Sequence, residues 1–82
     1  MNDIQQTLLN IVKPLCEDSD MVIVKQMETI NDNEILLYVY ASNNDIGRLI
    51  GKKGIMATSI RQMMQVVSKV EKKRINVKFE AL

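Results

Sequence analysis

All three glycines of this 82-residue chain, Gly47, Gly51 and Gly54, fall within eight residues, and no other feature limits its fold so tightly. Glycine loses more conformational entropy on folding than any other residue. A chain that avoids it elsewhere and gathers it once is marking backbone angles, or close approaches, that a Cβ would forbid. The run Gly51-Lys52-Lys53-Gly54 follows the apolar Ile50 and separates two segments of helical pattern. Two helices are therefore expected to meet in a tight bend that carries a pair of lysines.

The remaining elements follow from periodicity. Ile4, Leu8, Ile11, Val12 and Leu15 recur at helical spacing, which predicts a helix from about Asn2 to Glu17, capped by Asn2 or Asp3. Pro14 lacks an amide hydrogen and should kink that helix or change its axis near Lys13. Glu17, Asp18 and Asp20 mark a loop. Met21 to Met27, rich in β-branched residues, reads as a strand, and Asn31-Asp32-Asn33 as a turn. Ile35 to Ala41 completes an antiparallel hairpin. Its Ile35, Leu37, Val39 and Ala41 share one face and Leu36, Tyr38 and Tyr40 the other, apolar enough on both for a central strand. Ser42 to Asp45 offers four possible caps for a short helix through Ile50, and a longer helix spans about Gly54 to Val70. Ile75 to Glu80 alternates as a last strand with one buried face. The order α-β-β-α-α-β predicts a single α+β domain over residues 1–82, a three-stranded sheet with helices packed on one side.

Charge is distributed unevenly. Residues 1–43 hold two bases and seven acids, and residues 44–82 hold nine bases and three acids, so halves of −5 and +6 sit behind a net charge of +1. Such a split suits an anion held on one face, although a merely dipolar surface has the same signature. Several classes drop out. There is no His and one Cys, Cys16, so neither an internal disulfide nor metal-ligand spacing is available, which fits a reducing, cytoplasmic setting. The longest apolar run, Ile35 to Ala41, is too short for a bilayer, and no leader pattern is visible. An enzyme reading lacks a histidine, a carboxylate pair near a cleft motif and a Walker sequence, since the lysine pair has no following Ser or Thr. A DNA-reading helix-turn-helix needs a polar second helix, and Ile55 to Val70 is too apolar for one. No cofactor, metal, membrane or small-molecule substrate is expected.

At the glycine bend the physics favours phosphate. The second helix opens with amides that lack intrahelical partners and with the positive end of its dipole. Missing Cβ atoms let a sugar-phosphate chain come close, while Lys52 and Lys53 add full charges. Arg48 lies one turn earlier and Arg61 two turns later. Each dipole or surface-charge contribution is only about 0.3–1 kcal/mol. Binding should therefore be weak and salt-dependent, with a log–log slope near −2 if roughly three phosphates are neutralised.

The run Asn44-Asp45-Ile46-Gly47-Arg48-Leu49-Ile50-Gly51-Lys52-Lys53-Gly54 resembles the signature of KH domains, whose G-x-x-G loop clamps a stretch of four nucleotides. With its length, element order and Ile11-Val12-Lys13-Pro14-Leu15 in the first helix, the chain is similar to the small bacterial single-KH proteins of the KhpA type. That resemblance implies a type II KH fold, with the last strand joining the hairpin in a mixed sheet. It also implies single-stranded RNA binding, a role as RNA chaperone or post-transcriptional regulator, self-association, and pairing with a larger KH-containing protein of the KhpB (Jag/EloR) kind. Ile55 and Thr58 stand where family members often carry basic or small residues, which leaves fewer charges after the loop.

On this reading the RNA-binding set is Gly47, Arg48, Gly51, Lys52, Lys53, Gly54, Ile46, Ile55 and Arg61. Plainer readings stand beside it. Gly51 and Gly54 can be a helix C-cap and a turn, and Gly47 can serve close packing. Ile50 reads as core. Arg48 can lie over its own helix face, and Tyr38, Tyr40 and Phe79 read as structural. The second long helix is apolar over a broad arc, so Met56, Ile60, Met63, Met64 and Val67 form a candidate dimer interface. The alternative function is a dimerisation module whose RNA contact is secondary.

Overall fold

Pro14 removes a rung from any helix that reaches it. In the computed structural model, which describes residues 3–82, the first helix α1 accordingly spans Asp3–Val12 and stops there. Lys13–Leu15 tightens into one 3-10 turn and Cys16 is already extended, so the helix expected to reach Glu17 ends a turn earlier. The proline ends the helix instead of kinking it. The expected cap at Asn2 and the side chain of Asp3 lie outside the described residues. A second 3-10 turn, Ser19–Met21, replaces the start of the predicted first strand.

Strand β1 (Ile23–Met27) pairs antiparallel with β2 (Glu34–Ala41), Ile23 opposite Tyr40 and Met27 opposite Leu36. The loop between them is held by Asn31, whose side-chain oxygen accepts from the Asn33 amide at 2.9 Å and whose carbonyl accepts from the Glu34 amide at 3.1 Å. Strand β3 (Arg74–Ala81) lies parallel to β2 with Glu34 opposite Arg74 and Ala41 opposite Ala81, making β2 central in a mixed sheet. A parallel neighbour needs a crossover. Helices α2 (Asn43–Ile50) and α3 (Ile55–Glu71) supply it, and the glycine bend lies at its midpoint.

The helices cover one face of the sheet. Ile35, Leu37, Val39 and Ala41 of β2 are buried with Ile75 and Val77 of β3 against Leu8 and Val12 of α1, Leu49 of α2, and Ile60 and Met64 of α3. On the other face Leu36, Tyr38 and Tyr40 are half-buried. The two tyrosine rings stack on each other, centroids 5.9 Å apart and planes at 21°.

The broad apolar arc of α3 divides. Ile60 and Met64 are 0% and 1% exposed and belong to this chain's own core, which corrects their assignment to a dimer surface. Met56 and Val67 sit half-buried at the core margin. The residues that face outward are Ile55, Met63, Val66 and Val70. The helix ends at Lys72, which adopts a left-handed conformation (φ 59°) and donates its amide to the Ser68 carbonyl. Among the described residues, no helix is long and apolar enough to cross a membrane.

Candidate functional site

The bend is built from three departures from ordinary backbone within four residues. Gly51 has φ 75° and ψ 175°, Lys53 φ 56° and ψ 23°, and Gly54 φ 78° and ψ 12°. The Gly51 conformation is open to essentially glycine alone. A Cβ there would stand 2.7 Å from Met56 Cβ and 2.9 Å from Met56 N, so the first turn of α3 needs that hydrogen atom. At Gly54, and at Gly47 within α2, a Cβ would meet nothing within 4 Å. Gly47 therefore serves no close packing, and its backbone is open to whatever approaches.

Within the bend Gly54 donates to the Gly51 carbonyl at 3.2 Å and Ile55 donates to that of Lys52. These two amides, expected to be open at the start of α3, are engaged by the turn itself. No side chain caps α3, and both Lys52 and Lys53 stand exposed. Lys53 holds a left-handed conformation that costs a non-glycine residue roughly 1–2 kcal/mol, a strain concentrated at the tip of the bend.

Helix α2 owes its position to Asp45. Ser42 caps the helix, its hydroxyl accepting from the Asp45 amide at 3.2 Å. The Asp45 carboxylate is fully buried and accepts from the Glu17 and Asp18 amides, 2.9 Å each, tying the loop after α1 to the start of α2. The Glu17 amide bond holds the Asp45 carboxyl below the usual carboxylate range. Burial opposes that shift, and Asp18, Ser42 and Arg48 reinforce it. Arg48 completes the cluster, 2.6 Å from Glu17 Oε1 and 3.7 Å from Asp45 Oδ1. It lies beside the bend with its guanidinium engaged by the chain's own carboxylates. Half-buried Cys16 borders this cluster, and burial first, then the Asp45 charge, pushes its thiol up.

Beyond the bend, between the α2–α3 junction and β3, lies a cleft of about 300 Å³ lined by Ile50, Gly54, Ala57, Arg61, Lys78, Phe79 and Glu80. Ile50 is 39% exposed and lines it, which corrects its reading as core; Leu49 takes the inward position at the end of α2. Ile46 is half-buried against the core, and Ile55 projects outward at 65% exposure. Arg61 donates from Nε and Nη2 to the Val77 carbonyl at 3.3 and 3.1 Å and lies over the Phe79 ring, 5.4 Å from its centroid. The structure thus brings Ile50, Gly54 and Arg61 to one cleft, with Gly51, Lys52 and Lys53 in the bend that Gly54 completes and Arg48 to its side. Lys78, Phe79 and Glu80 were not among the predicted site residues. The parallel register of β3 delivers them, and the alternation of Ile75, Val77 and Phe79 was the available signal. A larger hollow of about 490 Å³ lies at the hairpin end, where Glu28, Asp32 and Glu34 make a poor lining for an anion.

The family model for the KhpA/KhpB KH domain matches residues 5–79. The RNA-binding protein KhpA of Listeria monocytogenes is 33% identical over 73 residues, which cover 89% of this chain and 93% of that protein. The RNA-binding protein KhpA of Lactiplantibacillus plantarum is 34% identical over 80 residues, 98% of this chain and 92% of its own length. Among solved structures, Era in complex with MgGDPNP and nucleotides 1506–1542 of 16S ribosomal RNA matches with a TM-score of 0.66 at 17% identity. Era from Aquifex aeolicus with bound GDP and AlF4 matches with a TM-score of 0.64. Each Era match covers 95% of this chain but only 29% of Era, a likeness of fold over less than a third of that protein.

Proposed function

This chain belongs to the KhpA/KhpB KH-domain family, and on that premise we propose that it binds single-stranded RNA, holding the sugar-phosphate backbone at Gly51-Lys52-Lys53-Gly54. Its three-stranded mixed sheet with three helices on one face is the type II KH arrangement. The observation that carries the proposal is the left-handed bend at φ 75° to 78°, which exposes two ammonium groups where no side chain caps the following helix. A phosphate seated there meets the Lys52 and Lys53 side chains, the positive end of the α3 dipole, and a backbone path past Gly47 that no Cβ obstructs. The adjoining cleft lined by Ile50, Gly54 and Arg61 then accepts bases, with Ile46, Gly47 and Ile55 on the helices that flank it. Arg48 assists only where a phosphate displaces Glu17 from it.

The test is fluorescence anisotropy with short unstructured RNA. Wild type should bind with a log–log salt slope near −2, roughly −0.7 for each of three phosphates. Changing both Lys52 and Lys53 to Asp should abolish binding and leave the oligomeric state intact. Retention of RNA by that variant at moderate salt would show the loop assignment to be wrong.

The α3 surface favours a second role in association. Ile55, Met63, Val66 and Val70 form an exposed apolar stripe, 48% to 74% accessible, on the side of α3 away from the core. We infer that this face, together with the half-buried Met56 and Val67, pairs the chain with a second copy or with a larger KhpB-like protein, and that an RNA-chaperone or regulatory role is exercised in such a complex. Val66→Asp should shift the oligomeric state in sedimentation without lowering the melting temperature. An unchanged oligomeric state would remove the stripe from the interface.

A further inference from the structure

The cleft beside the bend holds a guanidinium that is unusually fixed for an exposed arginine. Arg61 spends Nε and one Nη2 hydrogen on the Val77 carbonyl at 3.3 and 3.1 Å, and Phe79 lies under its plane at 5.4 Å. Two hydrogen bonds to one carbonyl fix the rotation of the group, and the Phe79 ring lies against it. What remains is the Nη1–Nη2 end edge, which has two parallel N–H donors and no other partner among the described residues. The other charged groups of the cleft are Lys78, which only donates, and Glu80, which only accepts.

We propose that Arg61 determines base preference, its end edge selecting a base with two adjacent acceptors: guanine through O6 and N7, or cytosine through O2 and N3. The inference rests on the RNA-binding reading above and goes beyond it, because gripping a backbone carries no sequence information. A guanidinium fork matches two neighbouring acceptors and is repelled where a donor interrupts them. Uracil places N3–H between its two carbonyls, and adenine sets its amino group beside N7. Both present a donor where the fork needs an acceptor. Guanine and cytosine also carry amino groups that Glu80 can accept from, which uracil lacks. A held arginine is suited to this discrimination, since its orientation is set before the base arrives.

The experiment compares octacytidylate, octauridylate, and an alternating uridine–guanosine octamer with and without deazaguanosine, which lacks the N7 acceptor. Wild type should bind octacytidylate and the guanosine octamer about ten-fold more tightly than octauridylate, the discrimination expected of a bidentate arginine contact. The deaza substitution should remove the guanosine advantage with the protein unaltered. Arg61→Lys keeps the charge and loses the fork, so affinity for octacytidylate and the guanosine octamer should fall to within about two-fold of that for octauridylate. The Lys52→Asp, Lys53→Asp variant should abolish binding of every strand alike. Equal binding of all strands by wild type, or a preference that survives Arg61→Lys, overturns the role of Arg61 and leaves RNA binding standing. Failure of wild type to bind any strand overturns both.

Discussion

Replacing the three glycines by alanine one at a time should give effects of two signs and three sizes, because the structure puts each in a different predicament. Gly47 lies in α2 with negative φ and open space where a Cβ would go, so alanine there should stabilise the fold by about 0.5–1 kcal/mol, the helix-interior cost of glycine. Gly54 is left-handed with open space, so alanine should cost only the conformational penalty, about 1–2 kcal/mol. Gly51 combines a backbone region reserved for glycine with a Cβ 2.9 Å from the Met56 nitrogen, which cannot move aside as a flexible side chain can. Strain and overpacking together come to about 2–6 kcal/mol there. Against a total stability of roughly 4–12 kcal/mol for a chain of this size, that loss leaves the domain marginal. Thermal melting followed by circular dichroism reads the series directly, at roughly 4–8 °C per kcal/mol. Gly47→Ala should melt higher than wild type, Gly54→Ala lower, and Gly51→Ala lowest or unfolded. The same Gly47→Ala protein, although more stable, should bind RNA more weakly, since its methyl group enters the path of the backbone. A Gly47→Ala protein that melts below Gly54→Ala, or a Gly51→Ala protein that melts with wild type, would refute this account of the bend.

Three further outcomes follow from the same geometry. Lys72→Gly should raise the melting temperature by several degrees, because it relieves a left-handed C-cap worth about 1 kcal/mol; a lower melting point would contradict the cap assignment. The Asp45 carboxyl is depressed below 3.8 in the folded state, so its contribution is complete above that value and is lost as pH falls through the lower folded one. The stability gap between wild type and Asp45→Asn should therefore be widest at neutral pH and close in acid, and urea titrations at a series of pH values would expose a gap that stayed constant. Glu17→Gln removes the 2.6 Å partner of Arg48 at an exposed site, so melting should barely move, while RNA affinity at low salt should rise by roughly two- to five-fold. An unchanged affinity would place Arg48 outside the interface.

Much of this was legible in the sequence because the decisive signals were local. Alternation in Ile35 to Ala41 and Ile75 to Glu80 reported the buried sheet face, and clustered glycines reported the bend. What escaped was non-local. Asp45 looked like one of four caps, and nothing near it in sequence signals that its carboxylate reaches back to the Glu17 and Asp18 amides. Arg48 was likewise assigned by its distance from the bend along the chain, while its direction is set by that same distant loop. Helical periodicity gives an arc but no depth, so Ile60 and Met64 were grouped with Met63 although two lie in the core and one outside it. The cleft residues Lys78 and Glu80 depend on the parallel register of β3, which pattern alone does not fix.

The most direct measurement is amide mapping by NMR during titration with a short single-stranded RNA. The largest shifts should fall on Gly47 and on Lys52, Lys53 and Gly54, with smaller ones along the cleft toward Arg61 and Phe79. Shifts centred on the open sheet face around Tyr38 and Tyr40, with the bend unmoved, would contradict the account.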